Sequence, residues 1–380
     1  MVVMNGWVRP VRTAWVVRDN VAGPDVDEFA EPEQITAELA RPGAALGTLL
    51  AVQHPHRTPA ARAGGLSLTD ALPIAREALD HLRANHYREV HDIVAPYRVD
   101  GPDGSAHGVL CLVDPAEVGR VRHTEEVFPE VVAERSAVLS GLGCATSAAM
   151  LVPVSDGAVL TSLLVDVCEE LAEPAVSVVD SAGRRHQMWL LGKGSRQTEL
   201  LELLQEQSLL VADGNHRVAA AAGSSLLALI TAGPDLRIGA IHRVLIGTGL
   251  DADTLFRRWR DIGLAVTRGG DPTPRPGVVV ALAGDERLRV VLPDLGGDKP
   301  QIDHGVVEQV LVQAALGIDP DGPSLRVLPA GRPVPDGILL QLAPVPFDDV
   351  LAVHAEGRRM PRKATYFTPK SRSGLLLAAL

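Results

Sequence analysis

Apolar positions with helical spacing alternate along this chain with short apolar runs that turn residues interrupt. Apolar residues recur every three to four positions in segments that predict helices at 34–39, 68–85, 130–140, 197–207, 215–222 and 306–316. Short apolar runs between turn residues predict strands at 47–52, 107–113, 158–165, 175–179, 186–191, 208–212, 277–283 and 288–292. Turn residues at 100–104 and 181–185 separate strand-like runs, and the second turn predicts a hairpin. This alternation predicts an α/β (α+β) fold.

The length and the apolar content predict several interlocked regions. A chain of 380 residues exceeds one average domain, and 46% hydrophobic residues suffice for a large core. We divide the chain into an N-terminal α/β region at 1–120, a core at 121–225 and a C-terminal α/β region at 226–380. The segment 269–277, rich in Pro and Gly, is interpreted as a loop inside the last region.

Charge and hydropathy argue against two classes of partner. The formal net charge of −11 and the pI near 5.6 disfavour a general nucleic-acid binder, which needs a basic surface. Residues 1–16 are broken by Gly, Pro and Arg, and no later segment runs for about twenty apolar residues. We therefore expect a cytoplasmic protein without a membrane partner. Cys111, Cys144 and Cys168 are widely spaced, which predicts buried thiols rather than disulfides or a zinc site.

The segment 213–217, Asp-Gly-Asn-His-Arg, concentrates polar and charged side chains between the predicted strand at 208–212 and the helix that follows. Unpaired backbone N–H groups and the positive end of a helix dipole favour an anion at such a position. Asp213 has the hard oxygens that suit a divalent cation, while His216 and Arg217 have donors that suit a phosphoryl group. The alternative is that Asp213 only caps the helix and Arg217 makes a surface ion pair.

This segment resembles the Asp-Gly-His-His-Arg signature of the DUF1015 family, with Asn215 in place of the first His. Three further blocks resemble that family in the same order, namely a His-x-x-Trp strand at 186–189, a His-Arg strand at 241–244 and the ending Met-Pro-Arg-Lys-Ala-Thr-Tyr-Phe-Thr-Pro-Lys at 360–370. The resemblance covers nearly the whole chain. More distantly, the segment is similar to the Asp-Gly-x-His-Arg element of the ParB/sulfiredoxin-like fold, to which free serine kinases belong.

The resemblance implies a ParB/sulfiredoxin-like nucleotide-binding core that phosphorylates free L-serine, or a related hydroxylated amino acid, with ATP or ADP and Mg²⁺. It implies catalytic roles for Glu125, Asp213, His216 and Arg217, with Asp213 also as the metal ligand. It implies nucleotide contacts at Gly214, Asn215, His242, Arg243, Lys363 and Lys370. It implies substrate contacts at Trp189, Thr365 and Tyr366. The partner is then a small-molecule substrate, and the oligomeric state stays open, a homodimer included.

Glu125 is the candidate general base. Residues 124–129 and the pair Glu134-Arg135 resemble a family block with His-Glu-x-Thr-x-Pro and a later Asp-Arg, and Thr124 stands where the family has His. A serine hydroxyl loses its proton during phosphoryl transfer, and a positioned carboxylate can accept it. The alternative is that Glu125 and Glu126 form a solvated acidic face.

Two other functions compete with the kinase. One is a nucleotide-binding regulatory module of the ParB-like fold, which predicts no acceptor-dependent product. The other is sulfiredoxin-like transfer to an oxidised thiol, which needs a cysteine beside the signature, and none lies near it in sequence. His54-Pro55-His56-Arg57 has no carboxylate or thiolate partner nearby in sequence, so it is interpreted as a surface loop rather than a metal site.

Overall fold

The computed structural model describes residues 6–29, 31–296 and 300–380, which form two compact units. The first unit comprises Met1–His123, Val127–Leu236 and Pro369–Leu380. The second comprises Thr124–Glu126 and Arg237–Thr368. The chain is thus interleaved, because its last residues return to the first unit. The division into three regions at 120 and 225 stays a prediction.

The strands are numbered in chain order. They are β1 (Val8–Arg9), β2 (Val11–Val17), β3 (Tyr87–Ile93), β4 (Ala95–Gly101), β5 (Gly104–Val113), β6 (Val121–Arg122), β7 (Cys144–Ala145), β8 (Ala149–Pro153), β9 (Val176–Val179), β10 (Arg185–Met188), β11 (Leu209–Asp213), β12 (Leu226–Pro234), β13 (Arg237–Ile238), β14 (Ile241–Leu245), β15 (Ala265–Arg268), β16 (Val278–Ala283), β17 (Glu286–Val291), β18 (Leu325–Pro329), β19 (Ile338–Gln341), β20 (Phe367–Thr368) and β21 (Leu376–Ala379).

The helices alternate with these strands. They are α1 (Pro32–Leu39), α2 (Ala44–Gly47), α3 (Leu49–Gln53), α4 (Pro59–Ala63), α5 (Leu72–His86), α6 (Pro129–Leu142), α7 (Gly157–Leu171), α8 (Ser195–Gln205), α9 (Asn215–Ala220), α10 (Ala252–Asp261), α11 (Asp303–Val306) and α12 (Phe347–Ala355). A π-helical segment, Val307–Ala314, continues α11. Across the described residues, no helix is both long and apolar enough to cross a bilayer.

The first unit contains a large mixed sheet and a smaller antiparallel one. The large sheet has the order β6-β11-β8-β12-β5-β4-β10-β9, and β1 pairs with β5. The small sheet has the order β3-β2-β21-β7, so the C-terminal strand lies inside it. Helices α7 and α8 cover one face of the large sheet with Leu160, Leu164 and Leu200, all fully buried. This packing holds β11, the strand that precedes the signature, rigidly in the sheet.

The second unit is built on an antiparallel sheet of order β15-β17-β16-β19-β14-β18. Its core joins α10 to the π-helical segment, and Trp259 is fully buried between them with its indole N–H donating to the Leu311 carbonyl at 3.0 Å. A separate short ladder pairs β13 with β20. The mixed α/β class predicted from the sequence is therefore confirmed.

Most predicted elements are confirmed, and the strand predicted at 158–165 is wrong. These residues form the first half of α7. Leu160, Leu164, Val167 and Cys168 are buried on one helical face, at the spacing i, i+4, i+7 and i+8. Six of the eight residues at 158–165 are apolar, and so short a stretch suits a buried helix as well as a buried strand.

The strand predicted at 47–52 is also wrong, because this segment joins two short helices. Helix α2 ends at Gly47, and Thr48 caps α3 by accepting a hydrogen bond from the Ala51 N–H at 3.3 Å. Leu49 and Leu50 are buried in the core beside the small sheet. A threonine cap before an apolar tetrad is a helix-start signal that the apolar run obscured.

Candidate functional site

A bulge in β11 directs Asp213 at the end of the strand. The strand pairs with β8 in regular register up to Val211, and the register then shifts so that Asp213 lies opposite Met150. A bulge turns the side chains that follow it relative to the sheet. Leu209 and Leu210 are fully buried, whereas Asp213 is about one-third exposed. The strand therefore begins in the core and ends at the surface, where the Asp213 carboxylate is partly exposed.

The Asp213 carboxylate lies between two cations. Its Oδ2 accepts a short hydrogen bond from the Arg217 guanidinium, one turn along α9. Its Oδ1 accepts from Lys370 Nζ at 2.7 Å, and Lys370 is 157 positions away in the chain. The Lys370 side chain is only 17% exposed. The structure thus brings together the predicted signature and the predicted C-terminal lysine, both in the first unit.

Gly214 has the left-handed backbone conformation that this turn requires. Its φ is +91°, and a Cβ at this position would lie 2.5 Å from Arg217 Nε. Glycine adopts positive φ without the usual side-chain penalty and leaves room for the guanidinium to fold back over the turn. Helix α9 has only six residues, so the local charge comes mainly from the side chains and less from the helix dipole than the sequence suggests.

His216 is held by Phe128, the residue directly before helix α6. The Phe128 N–H donates to His216 Nε2 at 3.1 Å, and the two rings stack with centroids 5.8 Å apart. Because Nε2 accepts this hydrogen bond, the neutral imidazole carries its proton on Nδ1. His216 is therefore ordered as a donor through Nδ1, next to Arg217 in the chain.

A buried hydrogen-bond relay fixes the segment that carries Lys370. Tyr97 Oη lies 2.6 Å from His186 Nδ1, and His186 Nε2 lies 3.1 Å from Asp180 Oδ2. The N–H of Arg372, two residues after Lys370, donates to the same Tyr97 Oη at 3.3 Å. His186 is fully buried. The predicted His-x-x-Trp strand therefore contributes its histidine to the support of the C-terminal segment.

The charge states of the relay fix the direction of its hydrogen bonds. Burial lowers the pKa of His186, so the ring is neutral near pH 7. Burial likewise raises the pKa of Tyr97 well above its usual range, so the hydroxyl keeps its proton. Burial alone would raise the pKa of Asp180, but hydrogen bonds from the Arg184 backbone and from His186 lower it. Tyr97 therefore donates to His186, and His186 donates to Asp180.

Trp189 belongs to the core of the first unit. It is 6% exposed, and its indole N–H donates to the Ala172 carbonyl at 3.1 Å. Its backbone N–H donates to the Pro96 carbonyl at 2.9 Å. The role in substrate binding that the sequence suggests for Trp189 stays a prediction.

Asn215 begins helix α9 in the first unit, and the remaining predicted residues lie in the second unit, where Arg243 is fully buried. Its Nε donates to Glu308 Oε1 at 2.7 Å, and its terminal nitrogens donate to the carbonyls of Arg362 and Lys363 at 3.1 and 3.3 Å. Burial and then the Arg243 charge lower the pKa of His242, whose Nδ1 accepts from a backbone N–H. Arg243 therefore anchors the backbone of the C-terminal block at 360–370.

Glu125 and the aromatic part of that block also belong to the second unit. The carbonyl of the neighbouring Thr124 accepts from the Met360 N–H at 2.8 Å. Lys363 is exposed and has a positive φ of +50°, Thr365 is 9% exposed, and the Tyr366 carbonyl accepts from the Gly239 N–H at 2.7 Å. The base role of Glu125 and the ligand contacts of the other residues stay predictions.

Two contacts in the first unit have no signal in the sequence. Ser147, between β7 and β8, accepts from Arg217 Nη1 at 3.1 Å. Tyr97 joins the relay from the middle of β4. A serine in a loop and a tyrosine in a strand are both common, so only the folded arrangement identifies them.

Thiol and metal chemistry receive little support from the described side chains. All three cysteines are buried, and burial raises the pKa of Cys111 to about 12 and of Cys168 to about 11, with Cys144 also raised. Within residues 6–29, 31–296 and 300–380, no group of three or more His, Cys, Asp or Glu side chains is arranged to hold a metal ion. Any magnesium at Asp213 would therefore need most of its ligands from a nucleotide and from water.

Comparison with curated proteins finds no match. Among solved structures, the chain is similar to a free serine kinase in complex with AMP, at 12% identity and a TM-score of 0.37, over 69% of this chain and 87% of that one. It is also similar to SbnI with a C-terminal truncation from Staphylococcus aureus, at 14% identity and a TM-score of 0.40, over 71% and 87%. A conserved hypothetical protein from Pyrococcus furiosus matches at 11% identity and a TM-score of 0.35, over 69% and 90%.

The sequence itself matches one family model. The model of the family described as "Protein of unknown function (DUF1015)" matches residues 75–302, which is more than half of the chain. The matched segment contains the signature at 213–217 and the strand with His186. The chain therefore belongs to the DUF1015 family.

Proposed function

We propose that this protein is a phosphotransferase that moves a phosphoryl group from ATP or ADP to the hydroxyl of free L-serine, or of a related hydroxylated amino acid. The product with serine is O-phosphoserine. The observation that carries the proposal is the position of Asp213 between Arg217 and Lys370. The signature at 213–217 and the C-terminal block at 360–370 are far apart in sequence. Together they supply one cluster of charged side chains.

The cluster has the charges that phosphoryl transfer requires. Negative charge builds up on the oxygens of a transferring phosphoryl group, and cations held in advance stabilise it. Arg217 and Lys370 supply two positive charges, and Asp213 holds both side chains in place through charge-assisted hydrogen bonds. Phosphate oxygens then meet ordered cations rather than mobile ones.

His216 and Gly214 belong to the proposed phosphate site beside Asp213. The hydrogen bond from the Phe128 N–H places the proton of His216 on Nδ1, which makes the neutral ring a donor. Gly214 keeps the turn free of a Cβ, which leaves room for the Arg217 guanidinium over the turn, and the backbone N–H groups of Gly214 and Asn215 are proposed phosphate contacts. Donation by neutral His216 adds stabilisation without a further positive charge.

Magnesium fits the site as an ion that arrives with the nucleotide. Mg²⁺ in nucleotide sites is commonly held by one or two carboxylates together with phosphate oxygens and water. Asp213 is the carboxylate of the signature and would be its protein ligand. When bound, the ion would supply neutralisation of phosphate charge.

Glu125 is the proposed general base, and the roles implied for the other second-unit residues belong to the same proposal. The serine hydroxyl must lose a proton as the new P–O bond forms, and a positioned carboxylate can accept it. His242, Arg243, Lys363 and Tyr366 are proposed nucleotide or substrate contacts, with Arg243 acting through the backbone that it holds.

The test is product formation measured by mass spectrometry with purified protein, Mg²⁺, ATP or ADP, and L-serine. The native protein is expected to form O-phosphoserine, and Asp213→Asn to lose at least about 100-fold in rate, because both cations lose their anchor. Glu125→Gln is compared with Glu126→Gln, which makes the same change one residue away at an exposed position. A large loss in the first variant alone supports the base.

The same assay separates the kinase from a regulatory module. Tight nucleotide binding with no phosphorylated product from serine, threonine or homoserine would contradict the kinase. It would favour a protein that uses nucleotide to change conformation or partner. Equal activity in Glu125→Gln and Glu126→Gln would remove the base from the proposal while leaving the transferase in place.

A further inference from the structure

Lys370 lies within reach of two carboxylates of the first unit. Its Nζ donates to Asp213 Oδ1 at 2.7 Å, and Asp27 Oδ2 lies 4.0 Å from the same nitrogen. The Lys370 side chain is 17% exposed, whereas the Asp27 side chain is 60% exposed. A lysine ammonium has three donor hydrogens on a flexible four-carbon stem. Lys370 therefore has one acceptor in contact and a second one just beyond hydrogen-bond distance.

The segment that carries Asp27 is tied to the segment that carries Lys370. Arg372 lies two residues after Lys370, its side chain is 10% exposed, and its Nη1 pairs with Asp25 Oδ2 at 3.3 Å. The Ser373 N–H donates to the same Asp25 oxygen at 2.8 Å. Asp25 is itself buried, so this pairing is shielded from water. The contacts between the two segments therefore keep Asp27 beside Lys370.

Local hydrogen bonds fix the backbone at Asp27. Residues Val26–Glu28 form a single 3-10 turn, in which Asp25 Oδ1 accepts from the Asp27 N–H at 3.4 Å. In return, Glu28 Oε1 accepts from the Asp25 N–H at 2.7 Å. Reciprocal capping of this kind satisfies the backbone donors at the start of a turn. Asp27 has the most exposed carboxylate of the three acidic residues, so it is the one that a ligand or a moving side chain can reach.

The proposed role of Asp213 as a ligand of magnesium conflicts with the contacts that it makes. Arg217 and Lys370 each use one oxygen of its carboxylate. A divalent cation at Oδ1 would face the Lys370 ammonium at close range, where like charges repel each other. An ammonium released into water would lose its charge-assisted hydrogen bond and its fixed position. Asp27 offers Lys370 an acceptor that avoids both costs.

We infer that Asp27 is a positioning residue for Lys370, and that Lys370 moves from Asp213 to Asp27 when a nucleotide binds together with magnesium. This inference rests on the proposed function, because it names how that site would admit the metal and still keep its lysine. The exchange frees one oxygen of Asp213. Lys370 keeps a carboxylate partner throughout, so its positive charge stays ordered within the site.

The test measures the affinity of the protein for ADP by titration calorimetry, once with Mg²⁺ and once with EDTA. Asp27→Asn is expected to weaken the binding of magnesium ADP about three- to tenfold, the range for an ion pair with one exposed partner. With EDTA, its affinity for ADP should stay within about twofold of the native value, because no metal displaces the lysine. Asp19→Asn is the control, since it removes the same charge from an exposed position, and it should match the native protein in both titrations.

A double-mutant cycle with Lys370→Met separates an effect through the lysine from a direct contact with the metal. In the Lys370→Met protein, Asp27→Asn should change the affinity for magnesium ADP less than about twofold, because the residue through which it acts is gone. A three- to tenfold weakening that persists there would overturn the inference and make Asp27 a metal ligand. Equal weakening with Mg²⁺ and with EDTA, or no weakening in folded Asp27→Asn, would overturn it as well.

Asp27→Glu guards against a defect in the turn. It keeps the negative charge on a longer side chain, so its affinity for magnesium ADP should stay within about twofold of the native value. A loss as large as in Asp27→Asn would assign the effect to the turn itself and overturn the inference.

These titrations require no turnover, so they distinguish a failure of this inference from a failure of the proposed function. A magnesium-dependent loss in Asp27→Asn supports the exchange of Lys370 even in a protein that binds ADP and forms no O-phosphoserine. A protein that forms O-phosphoserine, and whose affinity for magnesium ADP is the same with Asp27→Asn, removes the exchange and leaves the kinase standing. A native protein that binds neither ADP nor ATP would contradict both.

Discussion

Removing the Tyr97 hydroxyl is expected to loosen the segment that carries Lys370. The hydroxyl is fully inside the first unit, where it donates to His186 Nδ1 and accepts from the Arg372 N–H. Tyr97→Phe keeps the ring and its packing and deletes both hydrogen bonds. The imidazole nitrogen and the backbone N–H are then left without partners.

The size of the effect follows from the number of groups left unsatisfied. One buried polar group without its partner costs about 1–3 kcal/mol, so two groups are expected to cost about 2–4 kcal/mol after partial relaxation. Tyr87→Phe is the matched control, because Tyr87 is also buried and donates one hydrogen bond, to the Gly374 carbonyl at 2.8 Å. Its expected cost is about half as large.

Hydrogen exchange followed by mass spectrometry measures this local opening directly. A loss of 2–4 kcal/mol corresponds to about a 30- to 1,000-fold faster exchange of the amides around Arg372, since 1.4 kcal/mol is a factor of ten. The Tyr87→Phe protein should show a smaller acceleration in the same peptide. Exchange in Tyr97→Phe that equals the native rate, or that is slower than in Tyr87→Phe, would refute the relay as the support of this segment.

Three further changes test other parts of the account. Gly214→Ala should lower the rate of product formation more than tenfold, because the added Cβ clashes with the Arg217 guanidinium. Gly223 is the control, because it has a similar φ of +97° and no atom lies within 4 Å of an added Cβ, so Gly223→Ala should lower stability alone. Equal rates of product formation in the two variants would contradict this. Arg243→Met leaves the Glu308 carboxylate without its buried partner, so urea denaturation should show a loss of about 3–5 kcal/mol in the second unit, and a loss below about 1 kcal/mol would contradict the anchor. Burial lowers the pKa of His304 to about 3 in the folded protein. As the pH falls below about 6.5, His304 therefore takes up a proton in the unfolded chain but not in the folded one. Its contribution to stability is complete above about pH 6.5 and declines from there towards pH 3. His304→Asn should therefore flatten the loss of urea midpoint between pH 7 and pH 5, and an unchanged slope would contradict this.

The sequence predicts the local setting of the signature well because its signals are local. A buried strand, an Asp-Gly turn and an alanine-rich helix follow one another within fifteen residues, and the structure has β11 and α9 there. The two wrong strands arise in short, mostly apolar segments of six to eight residues, whose length and composition suit a buried helix as well as a strand. Strand β2 escaped prediction, and it pairs with β21 from the other end of the chain, a partnership that no local pattern indicates.

The candidate site is less predictable, since it depends on contacts between distant residues. Lys370 was predicted only through the resemblance of the C-terminal block, and the ion pair with Asp213 spans 157 positions. The motif predicts a ligand contact for Arg243, and that role stays a prediction; the structure shows in addition that the side chain is fully buried and donates to Glu308. Burial of this kind depends on contacts between distant residues, so the sequence alone does not reveal it.

The most direct test of the central claim is a single-turnover transfer experiment with protein in excess over radiolabelled nucleotide. Saturating L-serine and Mg²⁺ are added, and the label is followed from [γ-³²P]ATP or [β-³²P]ADP into O-phosphoserine. Because the protein is in excess, even a slow transfer of the label can be detected, and repeated turnover is not required. With the native protein, the label is expected to appear in O-phosphoserine. With Asp213→Asn, transfer of the label is expected to be at least about 100-fold slower. The opposite result is that the nucleotide binds, but its label stays on the nucleotide or appears in inorganic phosphate although serine is present. That result would contradict the proposed transfer to serine.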